Sequence, residues 1–302
     1  MPRVAFFVSH PSRGQPANDN HLRLPRAFAA GGWSAIRIDH ESLAMESRQV
    51  VARDLAGDDV PLAAFDLYFV LGFGPQATFL DRMQLLRTLD QDRFVNTVDA
   101  LVYQHGKVSL FLAADDIPQP ETHVANDPDR LAAIAARGGD WIAKPPAASF
   151  GRDVFRLREG DANRRAILEH LTRDNRYALL QAYIEPATEG EKRTLVAAGK
   201  VVGTYGKRLH DHRGNLGAGA DAFPSTLTPV ETATVDGLVD RLDGLGVRFA
   251  TIDLVGSQAL EINVANPGWL ATYEQVAGVD LAPKVVEALA ARFASAPRNP
   301  TP

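Results

Sequence analysis

The stretch Phe249–Pro267, FATIDLVGSQALEINVANP, constrains the fold more than any other part of the chain. It reads as two apolar strands joined at Gly256-Ser257, with Asp253, Glu261 and Asn263 set among strand-favouring residues. Asp and Asn are depleted from strands, and charged groups in a half-buried hairpin need partners. A two-residue turn pairs Val255 with Gln258 and sends Asp253 and Glu261 to opposite faces. A three-residue loop pairs Val255 with Ala259, sets Asp253 across from Glu261 and leaves Asn263 on the same face. A shared site therefore predicts the three-residue loop. The all-oxygen set, with neither thiolate nor imidazole, suits a hard divalent cation. Mg²⁺ is usually held by one or two carboxylates plus substrate phosphates, so a metal here points on to a nucleotide. The alternative is a solvated hairpin with one polar face.

At 302 residues, the chain is long enough for two or three domains and a substantial core. Its net charge of −5 argues against nonspecific binding to nucleic acid or an anionic membrane, while leaving room for a local basic pocket. Zero cysteines exclude disulfides, thiolate metal sites and a cysteine nucleophile. No apolar run approaches the roughly 18 residues of a membrane span. The start, MPRVAFFVSH, reads as a short strand rather than a signal peptide. A cytoplasmic location is expected.

Strand and helix signals alternate at first. Val4–Val8 is an apolar run; a helix from about Leu22 to Ala30 follows, then strands at Ala35–Ile38 and Leu67–Leu71, a helix at Thr78–Leu89 and the run Phe94–Asn96. That order predicts a parallel sheet with helices on both faces. Gly72-Phe73-Gly74 reads as a tight turn near the sheet's ligand-binding edge, because a lone GxG lacks the third glycine of a phosphate loop. The proline-punctuated Ile117–Thr122 suggests a domain boundary. Beyond it come a helix at Asp127–Arg137 and strands at Trp141–Lys144, Val154–Leu157 and Ala178–Gln181, with a helix near Asn163–Leu171 among them. Strands at Lys192–Ala197 and Val201–Tyr205, a helix at Pro229–Leu245, the hairpin and a helix at Pro283–Phe293 complete the pattern, and the tail Ser295–Pro302 reads as disordered.

Lys144 ends a strand just before Pro145-Pro146 and could set a point charge over a nucleotide phosphate. In the loop that follows, the small residues around Ser149 and Gly151 leave backbone N–H groups free to cradle phosphate; an ordinary turn is the alternative. Lys192, Arg193, Lys207, Arg208 and Arg213 form a basic cluster in an acidic chain, with alternation placing Arg193 beside Lys207 or Arg208 on the neighbouring strand. The histidines show no HxxH or HExxH spacing, so no zinc is assigned, and GxSxG is absent.

The segments WIAKPPAASFGRDVFRLREGD, ALLQAYIEPATEGEKRTLVAAGKVVG, HRGNLGAGA and FATIDLVGSQALEINVANPG occur in the order and spacing of the ATP-grasp ligases and resemble prokaryotic glutathione synthetase in particular. The resemblance runs from about Phe94 to Leu289. It implies an α/β and α+β architecture: an N-terminal Rossmann-like (pre-ATP-grasp) domain over 1–118, a lid or small α+β domain over 119–191 and a catalytic ATP-grasp domain over 192–302. It also implies roles. Lys107 and Lys144 resemble the lysines that contact ATP phosphates from either side of the lid, and Gln181, Ala182, Tyr183 and Ile184 the hinge whose backbone meets adenine. Glu191 falls where the family has an acid on the ribose. Arg193, Arg208 and Arg213, with Asn215, resemble the groups around the phosphates and the acyl phosphate. Asp253, Glu261 and Asn263 resemble the ligands of Mg²⁺ (or Mn²⁺).

The implied reaction joins a small-molecule carboxylate and an amine into an amide or peptide bond through an acyl phosphate, releasing ADP and phosphate; a homo-oligomer is implied as well. The lid loop PPAASFGRD carries one glycine where the synthetases have a cluster, Val264–Gly268 replaces their T-S-P, and LGFGPQATF lacks their arginine and acid. These departures lie where substrates should sit, so the expectation is retained ATP chemistry with altered substrates. True glutathione synthesis, a natural-product peptide ligase and a ligase acting on a protein C-terminus are versions of this reading. A noncatalytic ATP-binding regulatory protein on the same fold is the contrasting class.

Overall fold

A computed structural model describes residues 1–13, 18–110, 116–147, 153–185, 190–208, 220–267 and 270–294. The apolar run near the start is β1 (Arg3–Val8), which pairs in parallel with β2 (Ser34–Asp39). A small antiparallel sheet of β3 (Ala44–Glu46), β4 (Gln49–Arg53) and β5 (Asp59–Pro61) follows, and β6 (Leu67–Val70) then returns to the other side of β1, giving the parallel order β2-β1-β6. Side-chain alternation explains why β1 is apolar throughout. Val4, Phe6 and Val8 pack against Leu24 and Phe28 of α1 (Asn20–Ala30). Ala5 and Phe7 share a core with Met83 and Leu86 of α2 (Phe79–Arg87) and Leu101 of α3 (Val98–Tyr103). A strand buried on both faces has no use for a polar position.

The second large unit is antiparallel. β7 (Thr122–Ala125), β8 (Trp141–Lys144), β9 (Phe155–Leu157) and β10 (Ala178–Ala182) pair in the order β7-β10-β8-β9. α4 (Pro128–Ala135) and α5 (Arg164–Thr172) bury Leu131, Ile134, Leu168 and Leu171 with Trp141, Leu157 and Leu180. The third sheet, also antiparallel, contains β11 (Glu191–Ala197), β12 (Lys200–Arg208), β13 (Asp221–Pro224), β14 (Phe249–Val255) and β15 (Gln258–Asn263) in the order β13-β12-β11-β14-β15. One face is covered by α6 (Pro229–Gly244) through Val235, Leu238 and Leu242. On the other face, Leu195, Ala197 and Phe249 join Leu270 and Tyr273 of α7 (Leu270–Ala277) and Val285 and Leu289 of α8 (Ala282–Ala294). That core also contains β1 and α1, so the first and third sheets share one interior.

α6 begins with a capping box: Thr228 Oγ1 accepts from the Glu231 N–H, the Glu231 carboxylate accepts in turn from the Thr228 N–H, and Pro229 occupies the first turn. Several elements differ from the sequence reading, including α3 and β13, which it does not foresee. Residues 44–61 form a meander, and Leu270–Ala277 is helical. Phe94–Asn96 is no strand but a pair of isolated bridges, Tyr68 with Phe94 and Asn96 with Val247. Asn96 explains the break, because its side chain takes over the ladder: Nδ2 donates to the carbonyls of Phe249 and Val264 at 2.8 and 2.7 Å, and Oδ1 accepts from the N–H groups of Arg248 and Phe249 at 2.7 and 2.8 Å. The expected disordered tail, Ser295–Pro302, lies outside the described residues. Among the described residues, no helix is long and apolar enough to cross a membrane.

Candidate active site

β14 and β15 close through a two-residue turn, with Val255 pairing with Gln258 across Gly256-Ser257. The three-residue loop expected from the sequence is therefore absent. Gly256 takes a left-handed φ of 54° there, which glycine adopts without a Cβ penalty. One pair further along the ladder the register steps. Leu254 faces Ala259, but Asp253 faces Glu261, leaving Leu260 as the extra residue of a β-bulge. The bulge restores what the longer loop would have supplied: Asp253 stands across from Glu261, and Asn263, opposite Thr251, keeps the same face.

Register also fills that face from the other strands. Glu191 pairs with Lys207, and Arg193 lies between Tyr205 on β12 and Asp253 on β14. Arg193 grips Asp253 with a fork, Nε donating to Oδ1 at 2.7 Å and Nη2 to Oδ2 at 2.6 Å. Such two-point pairs are strong and directional. Lys207 is fully buried, donates to Glu191 and stands 3.5 Å from Asp253 Oδ2. The Tyr273 hydroxyl donates to the carbonyls of Arg193 and Gly203 at 3.2 and 3.3 Å, tying α7 to this row.

Two lysines close the site from outside the sheet. Lys107, after α3, places Nζ 2.8 Å from Glu261 Oε1, and its backbone N–H donates to the Pro146 carbonyl at 2.9 Å, just beyond β8. Lys144, the last residue of β8, donates to Gln181 Oε1 at 3.1 Å, and the Gln181 amide donates in turn to Thr122 Oγ1 at 3.2 Å. Beyond Gln181, the N–H of Ala182 is taken by the Glu121 carbonyl and that of Tyr183 by the Asp140 carbonyl. The Tyr183 ring lies under the Arg156 guanidinium at 3.7 Å, and Arg156 is held by Asp140 at 2.7 Å.

The electrostatics follow from burial and proximity. Burial alone would push the Asp253 carboxyl up, but Arg193 and Lys207 outweigh it and hold it well below the usual range. Glu261 is likewise held low by Lys107 and Lys144 against its burial. Glu191 shows the opposite balance: burial wins over Lys207 and raises it to about 6. Burial brings the Lys144 ammonium down to about 8, despite the attraction of Glu261.

The structure thus gathers Lys107, Lys144, Gln181, Glu191, Arg193, Asp253, Glu261 and Asn263 around one end of the third sheet. Ser149, Gly151, Arg213 and Asn215 lie outside the described residues. Arg208 stands apart, exposed and stacked over the Phe223 ring at 5.3 Å. Lys192 leaves the expected basic cluster altogether. Alternation turns it to the opposite face, where it pairs with Glu231 of α6 at 2.8 Å in a buried bridge. Lys207 is the cation whose importance the sequence understated. Its signal was there in the alternation that opposes it to Glu191, but its lack of exposure was not readable.

Asp253, Glu261 and Asn263 fit a hard divalent cation. All three offer oxygen donors on one face, and Asn263 Nδ2 is buried without a hydrogen-bond partner among the described residues. That nitrogen is a donor, so what would pair with it is an anionic oxygen such as a phosphate's, while the metal would take the oxygen side of the set.

The prokaryotic glutathione synthetase ATP-grasp domain family matches residues 110–278, more than half of the chain. The glutathione synthetase of Shewanella oneidensis is 32% identical over 178 residues, 58% of this chain and 56% of that protein. The match thus spans little more than half the length of that relative. The glutathione synthetase of Bordetella parapertussis is 32% identical over 220 residues, 70% of this chain and 68% of that protein. Among solved structures, D-cycloserine synthetase DcsG superposes with a TM-score of 0.71 at 21% identity, covering 96% of this chain and 99% of that one. The ATP-grasp ligase PsnB complexed with a minimal precursor gives 0.69 at 17% identity, covering 97% and 98%. These likenesses show the ATP-grasp fold, and the family match goes further: the chain belongs to the family defined by the ATP-grasp domain of prokaryotic glutathione synthetase.

Proposed function

We propose that the protein is an ATP-dependent carboxylate–amine ligase that forms an amide or peptide bond and releases ADP and phosphate, with substrates other than those of glutathione synthesis. The observation that carries this reading is the convergence of Lys107, Lys144, Arg193 and Lys207 on Glu191, Asp253 and Glu261. Four cations face three carboxylates, so at neutral pH the cluster is left with a positive balance suited to a polyphosphate.

In this reading Lys107 and Lys144 hold the phosphates from the two sides of the Pro146 connection. Glu191, oriented by Lys207, meets the ribose. Since the N–H groups of Ala182 and Tyr183 are engaged, the segment 181–184 offers adenine its carbonyls and Ile184. Arg193, with Arg213 and Asn215 from the neighbouring segment, steadies the charge that builds as two anions approach, whereas Arg208, stacked on Phe223, would have to swing in to join them. Asp253, Glu261 and Asn263 hold Mg²⁺ or Mn²⁺, which when bound offsets charge on the phosphates. A substrate carboxylate oxygen attacks the γ-phosphorus and ADP leaves. The amine nitrogen then attacks the acyl carbon, phosphate leaves, and the amine proton passes to solvent. Fixed cations lower the cost of bringing carboxylate and triphosphate together.

The test is incubation of the protein with ATP, Mg²⁺ and a metabolite extract, with mass spectrometry for ATP-dependent products. The expected result is a new amide with stoichiometric ADP and phosphate. AMP as the product would sink the acyl-phosphate route. Tight ATP binding without turnover across broad acid and amine panels would favour the noncatalytic regulatory reading.

A further inference from the structure

The carboxyl end of the parallel sheet is bonded to the end of the β14–β15 hairpin. In open α/β sheets ligands bind beyond the carboxyl ends of the strands, where strand order reverses. With the order β2-β1-β6, that point lies between β1 and β6. The segment after β1 is tied to the one that follows the metal hairpin: Asn20 Nδ2 donates to Asn266 Oδ1 at 3.0 Å and to the Pro267 carbonyl at 3.1 Å, and Asn18 Nδ2 donates to the Asn266 carbonyl at 3.4 Å. The segment after β1 and the segment after the hairpin are therefore joined.

The segment after β6 is held rigidly. Gly72 and Gly74 take φ values of 115° and 61°, open to glycine and strained for other residues. Arg82 of α2 is buried and spends its guanidinium inside the loop, donating to the carbonyls of Phe73 and Pro75 and to the Thr78 hydroxyl. A Cβ on Gly74 would overlap the His40 ring, so the loop is seated directly on the end of β2. What it presents is Phe73, whose ring meets Phe79 edge-on at 5.3 Å and His105 at 5.0 Å. His105 is itself fixed by Nδ1 facing the Val102 carbonyl at 3.0 Å, and it precedes by two residues the lysine that holds Glu261. All three rings are half-buried.

We propose that Phe73, Phe79 and His105 form a specificity wall that seats an aromatic or similarly apolar side chain of the substrate reacting at the hairpin. The inference rests on the ligase reading and names the class of substrate. Residues 71–79, LGFGPQATF, carry no charge. An ionic substrate group placed there would lose water and meet only the His105 ring, already turned to the Val102 carbonyl, and an Arg82 already engaged by the loop, whereas an apolar ring gains edge-to-face contacts. A rigid supporting loop makes such a wall selective rather than merely greasy.

The experiment measures binding by calorimetry with Mg²⁺ and a nonhydrolysable ATP analogue present. The probes are N-acetyl-L-phenylalanine and L-phenylalanine amide against N-acetyl-L-glutamate and L-glutamate amide. At least one phenylalanine probe should bind about tenfold or more tighter than its glutamate counterpart. Phe73→Ser and Phe79→Ala should remove that preference, Phe73→Leu should retain most of it, and nucleotide affinity should change little in all three, which also reports that they are folded. Equal or tighter binding of the glutamate probes, no measurable binding of either phenylalanine probe, or a preference indifferent to both Phe73→Ser and Phe79→Ala would overturn the proposal. The same mixtures, run with ATP and hydroxylamine, separate the two readings. Phenylalanine binding without ADP release removes the ligase and keeps the wall, whereas ADP release with charged acids alone keeps the ligase and removes the wall.

Discussion

Lys107 Nζ stands 2.8 Å from Glu261 Oε1, so a cation of the chain itself occupies the carboxylate proposed to bind metal. The lysine and a divalent ion then compete for one oxygen, and the metal gains most when a polyphosphate draws Lys107 away. Free Mn²⁺ should accordingly bind weakly on its own and much more tightly with ADP. Lys107→Met should strengthen binding of Mn²⁺ alone by about tenfold, the equivalent of about 1.4 kcal/mol, while weakening nucleotide binding. Electron paramagnetic titration of Mn²⁺ reads both effects; unchanged metal affinity in the variant would refute the competition.

Lys144 should make nucleotide binding sensitive to pH. Burial brings its ammonium down to about 8 from 10.5. Below that value the free protein already carries the charge that a triphosphate favours. As pH rises through it, affinity should fall and each binding event should take up a proton. The unfolded chain keeps this proton up to 10.5, so between the two values folding is increasingly favoured as pH rises, and at neutral pH the fold bears the cost of a buried charge. Lys144→Met should therefore raise the melting temperature near pH 7, by the equivalent of about 1–3 kcal/mol, while abolishing nucleotide binding. Calorimetry in buffers of different ionisation enthalpy measures the proton uptake; affinity that is flat across this range would contradict the assignment.

Asp253 and Glu261 should separate in stability. Asp253→Asn leaves Arg193 and Lys207 facing a neutral amide in a buried setting, at a cost of about 3–5 kcal/mol. Glu261→Gln strands the partly exposed Lys107 and weakens the attraction on Lys144, which keeps its bond to Gln181, at roughly 1–2 kcal/mol. Both should lose ligase turnover, but only the first should lower the denaturant midpoint strongly. Equal midpoints for the two variants would mean that the Arg193 fork contributes little.

Asn96 should be among the most sensitive positions away from the site. Its amide satisfies four backbone groups at the joint between Phe94–Asn96 and the third sheet. Asn96→Ala should cost about 3 kcal/mol, the desolvation of buried groups left unpaired. Chemical denaturation measures this, and a loss no larger than that of a surface alanine substitution would show that water replaces the amide.

Legibility followed period and burial. Val4–Val8, Trp141–Lys144 and Pro229–Leu245 were readable because their apolar runs or 3.6-residue pattern match a core on one or both sides. The facing of Asp253 and Glu261 was readable from the need for a shared partner, but the device was not. A bulge at Leu260 and a longer loop give the same facing, and local sequence does not choose between them. The split of Lys192 from Lys207 depends on which face α6 covers, a tertiary fact. Asn96 hid for a similar reason: an asparagine in an apolar run looks like a strand end until the chain that it bonds, some 150 residues later, comes into view.

The bonds from Asn20 to Asn266 and Pro267 close a loop of nearly the whole chain. Contacts between such distant residues form late, because closure entropy must be met before they reward it. A protein that emerges from the ribosome in order can pair the strands of its parallel sheet early, yet it cannot join them to the site until the β14–β15 hairpin has been made. Until then the core that the first sheet shares with the third lies open, with Phe6, Phe28 and Phe69 lacking Phe249 and Leu289, so a truncated product would be inert and prone to aggregate.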